Sequence, residues 1–294
     1  MTYSAEIQAK ARELLASGQV ACVIGYEVGP RGRTRPTFVY DADDAGRLVW
    51  NRHCTHNLTL YLRDKLRPDP HSRKTQDEIR PVAVVVKACD SRAINVLLAE
   101  HQIQRENLHI IGVACEGILE GAGFAAVEQG ELQGRCRSCS ERIPVVYDTL
   151  IGQPPEIEPG DPLDGDLAAL EAMSPSERAT FWLSQFDRCI RCYACRQVCP
   201  MCNCPTCLYE RDDGLWAGKR IGINEKRTFH LGRAYHLAGR CVGCNECERV
   251  CPMNIPISLL NRKLAKEVEA AFGYRAGLAP VPSPITTVLG SEEA

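Results

Sequence analysis

No apolar stretch in this sequence is long enough to cross a bilayer. The greasiest segments, around Val82–Val86 and Ile110–Ala114, fall well short of the roughly 18 to 20 residues that a transmembrane helix needs. Charge excess is missing as well: Lys plus Arg number 35 against 37 Asp plus Glu, for a formal charge of -2. Phosphate-backbone binding leans on concentrated positive charge, so nucleic acid is not a main partner. The first twenty residues hold no greasy run followed by a small-residue cleavage site, so no secretory leader is read there. The expectation is a soluble cytoplasmic protein with reduced thiols, free or peripheral to a membrane complex. The basic loop Gly29–Pro36 lacks both G-x-G-x-x-G and G-x4-G-K-S/T spacing, and a solvated hairpin competes with any reading of it as a phosphate or acidic-partner site. No acid–base pair or nucleophile–base motif stands out. His56, His71 and His230 read as surface or helix-face histidines.

What the chain does have is cysteine, seventeen in 294 residues. Without an export route, close cysteine spacing points to metal and not to disulfides. Cys189-x2-Cys192-x2-Cys195-x3-Cys199-Pro200 is followed by Cys241-x2-Cys244-x2-Cys247-x3-Cys251-Pro252. In bacterial two-cluster ferredoxins each such run gives three thiolates to one cubane and its fourth to the other. That logic assigns Cys189, Cys192, Cys195 and Cys251 to one [4Fe-4S] cluster, and Cys241, Cys244, Cys247 and Cys199 to a second. Just past the first run, Cys202, Cys204 and Cys207 form a C-x-C-x2-C group: a further cluster, zinc, or an alternative ligand for a neighbouring cubane.

The first half reads as an α/β domain. Helical spacing over Tyr3–Ser17, then apolar segments at Val20–Ile24 and Thr37–Tyr40, predict a helix and two strands. The second half of Leu48–Leu66 is helical in period, and Pro68–Arg80 reads as a loop. Pro81–Lys87, Arg92–His101 and Leu108–Ala114 read as strand, helix and strand, which implies parallel strands joined by a right-handed crossover. Cys89 and Cys115 then emerge at one edge of the sheet, outside the carboxyl ends of the strands where such sheets bind ligands. The Cys136-x2-Cys139 pair can complete a four-thiolate site for iron–sulfur, with zinc or unligated buried thiols as alternatives. Cys54 is either a reachable ligand or a buried small hydrophobe.

Residues 151–173 read as a proline-rich acidic linker. Ser174-Pro-Ser-Glu177 marks a helix start leading through Trp182 and Phe186 into the first run, and both aromatics read as core that shields a cluster. Helices are predicted over Glu225–Ala238, with Phe229, Leu231, Tyr235 and Leu237 as its packing residues, and over Ser258–Phe272. The organisation is therefore an N-terminal partly parallel sheet domain at 1–150, a mainly helical dicluster ferredoxin domain at 174–273 and an extended tail at 274–294.

Three segments, Val86-Lys-Ala-Cys89-Asp-Ser-Arg-Ala-Ile94, Ile111-Gly-Val-Ala-Cys115-Glu-Gly117 and Cys136-Arg-Ser-Cys139, resemble in order the cysteine segments of the beta subunits of deazaflavin-linked hydrogenases and formate dehydrogenases. The run from Arg188 to Cys204 resembles the ferredoxin portion of those formate dehydrogenase subunits. Gly239–Ile255 resembles the electron-transfer modules of heterodisulfide-reductase-type assemblies. The resemblance implies that Cys89, Cys115, Cys136 and Cys139 hold a third [4Fe-4S] cluster, with Cys54 contending for one position. It also implies FAD nearby, exchanging hydride with a deazaflavin and single electrons with clusters, but no flavin-contacting residue of the family is matched here.

The expected function is an iron–sulfur relay subunit in an oxidoreductase complex. Its partner would be a hydrogenase, formate dehydrogenase or heterodisulfide-reductase-like protein, together with other iron–sulfur or flavin subunits. The alternative is an FAD-containing catalytic subunit that exchanges electrons with deazaflavin or NAD(P)H.

Overall fold

Valine and isoleucine, stiff at χ1 and suited to a pleated surface, fill the strands of a mixed sheet in the first half of the chain. The computed structural model describes residues 3–66, 79–121, 123–137, 139–153, 165–211 and 218–285. In chain order the first half forms α1 (Tyr3–Ala16), β1 (Cys22–Val28), β2 (Thr34–Val39), α2 (Leu60–Leu66), β3 (Val82–Val86), α3 (Ala88–Ala99), β4 (Leu108–Val113), α4 (Gly134–Arg137) and β5 (Thr149–Ile151). The strand order is β2-β1-β3-β4-β5. β2 is antiparallel to β1, with Val23 opposite Val39, and the remaining neighbours run parallel, with Val82 opposite Leu108 and Ile111 opposite Thr149.

Every residue of β3 is buried, as a central parallel strand covered on both faces requires. Ile7, Ala11 and Leu14 of α1 pack with Val23, Ala83, Val85, Ile111 and Val113 on one face. By the period-two alternation of strands, Val84 and Ile110 point to the other, and both are fully buried. Each such side chain contributes about 1.5–3 kcal/mol of hydrophobic stabilisation.

Two boundaries differ from the sequence-based expectation. β1 continues past Ile24 to Val28, and β2 begins at Thr34, inside the stretch expected to be a loop. The continuation is possible because Glu27, a charge on a buried strand, accepts hydrogen bonds from Arg35 (2.9 Å) and Arg47 (3.0 Å). Arg35, one of the loop's basic residues, is thereby engaged within the hairpin. Helix α3 starts at Ala88 and not at Arg92, because the Asp90 carboxylate accepts from the Lys87 amide at 3.3 Å and caps an earlier first turn.

The chain divides into two units, Met1–Pro162 with Gly277–Val281, and Leu163–Ala276 with Pro282–Ala294. In the second, the helices are α5 (Gly165–Ala172), α6 (Pro175–Asp187), α7 (Ala194–Gln197), α8 (Ile223–Leu237), α9 (Glu246–Arg249) and α10 (Ile257–Phe272). α5 lies inside the stretch expected to be a linker. It buries Leu167 and Leu170, and its Glu171 accepts from Lys263 (2.8 Å) and Lys266 (2.6 Å) of α10. The start of α6 is the expected capping box, with Glu177 N donating to Ser174 Oγ at 3.3 Å and Ser174 N to the Glu177 carboxylate at 2.8 Å. In the tail, Gly277 accepts from Asn95 Nδ2 at 3.0 Å within the first unit. Most of the expected loop Pro68–Arg80 lies outside the described residues. Among the described residues, no helix is long and apolar enough to cross a membrane.

Candidate metal centres

The two cysteine runs fold on one local plan. Each chain path passes twice through left-handed backbone, at Arg191 (φ 52°) and Tyr193 (φ 58°) in the first run and at Gly243 (φ 71°) and Asn245 (φ 53°) in the second. Each then enters a single helical turn, α7 or α9, that carries the third cysteine of its run, Cys195 or Cys247.

The thiols sort across the runs. One cavity of about 370 Å³, counting its mouth, is lined by Cys189, Cys192, Cys195 and Cys251. Another of about 380 Å³ is lined by Cys199, Cys241, Cys244 and Cys247. Each therefore meets three thiols of one run and the last thiol of the other. Among the described residues, no three Cys, His, Asp or Glu converge on a single-ion site; the sulfurs are set around spaces and not around points.

The donors fit an iron–sulfur cubane. The amide of Arg191 donates to Cys189 Sγ at 3.3 Å and that of Ile255 to Cys251 Sγ at 3.5 Å, the kind of contact that tunes cluster potentials. Burial pushes the Cys195 thiol up to about 11 and holds Cys244 and Cys247 above their ordinary range. Such groups become thiolates only beside a strong positive charge, which bound iron provides. Cys199 moves the other way: donation from the Cys202 thiol, aided by the Arg233 guanidinium, lowers it against the effect of burial.

Helix α8 supplies polar groups that apolar periodicity does not anticipate. Phe229 and Leu237 are buried as expected, but Leu231 and Tyr235 are exposed, Tyr235 to 67 %. The inward face is instead Lys226, Phe229, His230, Arg233, Ala234 and Leu237. His230, 3 % exposed, is a helix-face histidine but not a surface one. It lines the cavity of Cys189 and Cys251, and stacks on Phe186 with centroids 4.8 Å apart and planes 8° from parallel. Burial, with Arg233 and Arg191 nearby, pulls it down to about 4. Arg233 donates to Cys195 O at 2.9 Å. Burial opposes its charge, but Cys199, Cys202, Cys247 and Cys195 around it outweigh that opposition. The only signal for these two residues is their i, i+3 spacing on a helix beside the cysteines.

Cys202, Cys204 and Cys207 line a third cavity, of about 400 Å³ counting its open mouth, together with Arg196, Arg233, Arg240 and His236. Trp182 and Phe186 pack in the apolar cluster that contains Cys189 and Cys247.

In the first unit, Cys89 lies in the first turn of α3 and Cys115 just beyond β4, so both sit at the carboxyl ends of adjacent parallel strands. Cys115 is within electrostatic reach of Cys54, Cys89, Cys136 and Cys139, so the fold gathers five thiols from dispersed segments. Amides of Asn51, Gly117 and Ile118 donate to Cys54 (3.4 Å), Cys115 (3.4 Å) and Cys136 (3.3 Å). Gly117 adopts φ 98°, and a Cβ there would come 2.7 Å from Leu132, so a side chain would disturb that contact. Burial raises Cys54 to about 12 and Cys115 to about 11. The remaining cysteine, Cys22, is buried in β1.

Beside these thiols lies an ion pair that the sequence did not announce. Lys87 Nζ, with its side chain 1 % exposed, donates to Asp90 (2.8 Å), Tyr26 Oη (2.9 Å) and His56 O (2.6 Å). All three ammonium protons are used. Burial opposes the charge, but Asp90 holds Lys87 well above its ordinary value. The pair fastens the Cys54 segment to β1 and to the turn bearing Cys89. An open cleft of about 720 Å³ borders Cys115 and is lined by Tyr3, Trp50, Asn51 and Arg52.

Comparison with known proteins agrees with the second unit's geometry. Residues 185–255 match the family model described as "4Fe-4S dicluster domain". Among the curated proteins to which the chain is similar are two formate dehydrogenase beta subunits. One is the "F420-dependent formate dehydrogenase subunit beta" of Methanocaldococcus jannaschii, 24% identical with 83% of each chain covered. The other is the "F420-dependent formate dehydrogenase 1 subunit beta" of Methanococcus maripaludis, 24% identical with 83% of this chain and 82% of that one covered. The chain thus carries a 4Fe-4S dicluster domain and has distant similarity, over most of its length, to beta subunits of formate dehydrogenases.

Proposed function

We propose that this protein is an iron–sulfur electron-transfer subunit of a multi-subunit oxidoreductase, with two cubanes in its second unit and one in its first. The observation that carries the reading is the crossed sorting of eight thiols into two cavities, three from one run and one from the other in each. Cubane clusters supply one-electron transfer at potentials set by charge, hydrogen bonds and solvent access. The chain's own part is to hold, separate and shield them. Crossed ligation ties segments far apart in sequence, Phe186 and Trp182 exclude water from one side, and Arg233 places a fixed positive charge among thiols of both sites.

In the first unit the ligands are Cys89, Cys115, Cys136 and Cys139, with Cys54 competing for one place. Cys202, Cys204 and Cys207 take a further cluster or zinc. The three arginines lining their cavity favour a centre of net negative charge. The partner is a catalytic subunit of the formate dehydrogenase, hydrogenase or heterodisulfide-reductase-like kind. Support comes from the relatives' names, which describe beta subunits of formate dehydrogenases.

The second reading is a flavin-containing subunit that exchanges electrons with deazaflavin or NAD(P)H. The cleft beside Cys115 favours it: the aromatic residues Trp50 and Tyr3 and the cation Arg52 are among its lining. Anaerobic purification with assay of iron, acid-labile sulfide and flavin separates the two. About 12 iron atoms per chain without flavin are expected of the relay, and about 16 if the Cys202 group holds another cubane. Stoichiometric flavin moves the assignment to the second reading. A folded chain whose second unit holds only zinc, or no metal, overturns both.

A further inference from the structure

The cavity lined by Cys189, Cys192, Cys195 and Cys251 contains one polar side chain without a role in the relay as described. His230 is buried, and among the described residues neither of its ring nitrogens has a hydrogen-bond partner. An unsatisfied buried polar group costs about 1–3 kcal/mol, and the large majority of such groups in native proteins are paired. The ring is not free to turn away: Phe186 stacks on it at 4.8 Å, and Phe229 meets it edge-on at 5.1 Å. Apart from Tyr193, whose hydroxyl is engaged by Arg191 (2.6 Å) and Tyr209 O (3.0 Å), the described wall of the same cavity is apolar, with residues such as Ile255, Ile257 and Met253, so the side-chain acceptors left within it are sulfurs.

We propose that His230 donates a ring N–H to a sulfur of the cluster held by Cys189, Cys192, Cys195 and Cys251, and so raises that cluster's reduction potential. The inference rests on the relay reading above. Either protonation state of imidazole carries at least one N–H, so a donor is present regardless of pH. Reduction adds one negative charge to a cluster. A donor aimed at sulfur stabilises the more negative state and shifts the couple upward. His230 acts on one site only. The other cavity has no histidine among its described lining residues; there Asn261 Nδ2 lies 3.9 Å from Cys247 Sγ.

The test uses the whole chain, purified anaerobically, and potentiometric titration followed by electron paramagnetic resonance. His230→Phe keeps a ring to stack on Phe186 and removes the N–H; His230→Gln keeps a donor. His230→Phe is expected to retain iron and sulfide while lowering one of the two dicluster potentials by a tenfold change in oxidised-to-reduced ratio, about 59 mV for one electron. His230→Gln is expected to restore most of the shift. Cys251→Ala identifies the signal concerned by removing or altering it. Unmoved potentials at full iron content, or equal shifts in both signals, overturn the donor role.

A measurement without substitution guards against misfolded variants. In the native chain labelled with 15N-histidine, a weak nitrogen coupling to the reduced cluster is expected in pulsed resonance. No coupling overturns the proposal, and so does the large coupling of an iron-bound nitrogen. If the native chain has no signal that responds to Cys251→Ala, the relay reading falls and takes this proposal with it; an intact signal without nitrogen coupling sinks the donor alone.

Discussion

The two cysteine runs follow the same path with different residues at its tightest points. In the second run the left-handed positions are Gly243 and Asn245, residue types that adopt this backbone at little cost. The first run has Arg191 and Tyr193 there, where left-handed backbone costs roughly 1–2 kcal/mol per residue. The difference is offset by what those side chains hold. Arg191 donates to the carbonyls of Gly218 and Arg220 (2.7 Å) and to Tyr193 Oη (2.6 Å), and Tyr193 Oη donates to Tyr209 O at 3.0 Å. The Tyr193 ring also meets Phe229 edge-on, centroids 5.1 Å apart. Of these partners Gly218, Arg220, Tyr209 and Phe229 belong to the long segment between the runs. Through the residues at its left-handed positions the first run thus also anchors the intervening chain and α8, the helix that brings His230 and Arg233 inward, whereas the second run holds α10 through Glu248, which accepts from Ser258 N at 3.3 Å.

The comparison breaks most readily at the crossed thiols. If the runs exchange their last ligands, Cys199→Ala should disturb the centre of the second run and Cys251→Ala that of the first. Each should lose up to about four iron atoms per chain. Iron assay with low-temperature electron paramagnetic resonance checks this. A signal lost from the same run as the substitution would mean that the cavities do not describe the ligation.

Arg233→Gln comes next in size. Where His230 serves one site, Arg233 lies among thiols of both, Cys195 and Cys199 with Cys202 and Cys247. Its removal leaves buried negative charge uncompensated, which costs about 3–5 kcal/mol when one partner of a buried pair is lost. Both dicluster potentials should fall together, because a fixed positive charge that favoured the reduced states is gone. Potentiometric titration and denaturant unfolding under anaerobic conditions read the two effects. A shift confined to one signal would show that Arg233 belongs to a single site.

The contrast between the runs also marks what the sequence could disclose. Cysteine spacing is local and covalent, so the eight thiols of the two runs were legible as a set. The parallel strands were legible too, because Val82–Val86 and Leu108–Val113 are apolar throughout and flank a helical segment. Three features were not. His230, Arg233 and Lys226 face inward on α8 although periodicity reserves that face for apolar residues. Arg233 and Lys226 reach backbone carbonyls, of Cys195 and Asp187, that no pattern of side chains encodes. Lys87 is legible as polar but not as buried, since its acceptors come from β1, α3 and the Cys54 segment. The helix α5 was masked by the prolines and acids before it. In the first unit the thiols are spread from Cys54 to Cys139, and only the sheet's parallel order brings their segments to one edge.

The smallest effect isolates the backbone itself. Gly243 has φ 71°, and a Cβ built there meets nothing within 4 Å. Gly243→Ala therefore creates no clash and removes no side-chain contact, and only the left-handed conformation is penalised, by about 1–2 kcal/mol. Iron content and both potentials should stay as they are, while the anaerobic unfolding midpoint falls. A larger loss, or one accompanied by iron release, would mean that the cradle cannot relax around a Cβ and is held by its cluster more tightly than by its backbone. No change at all would mean that the second run is as fully braced at this position as Arg191 makes the first.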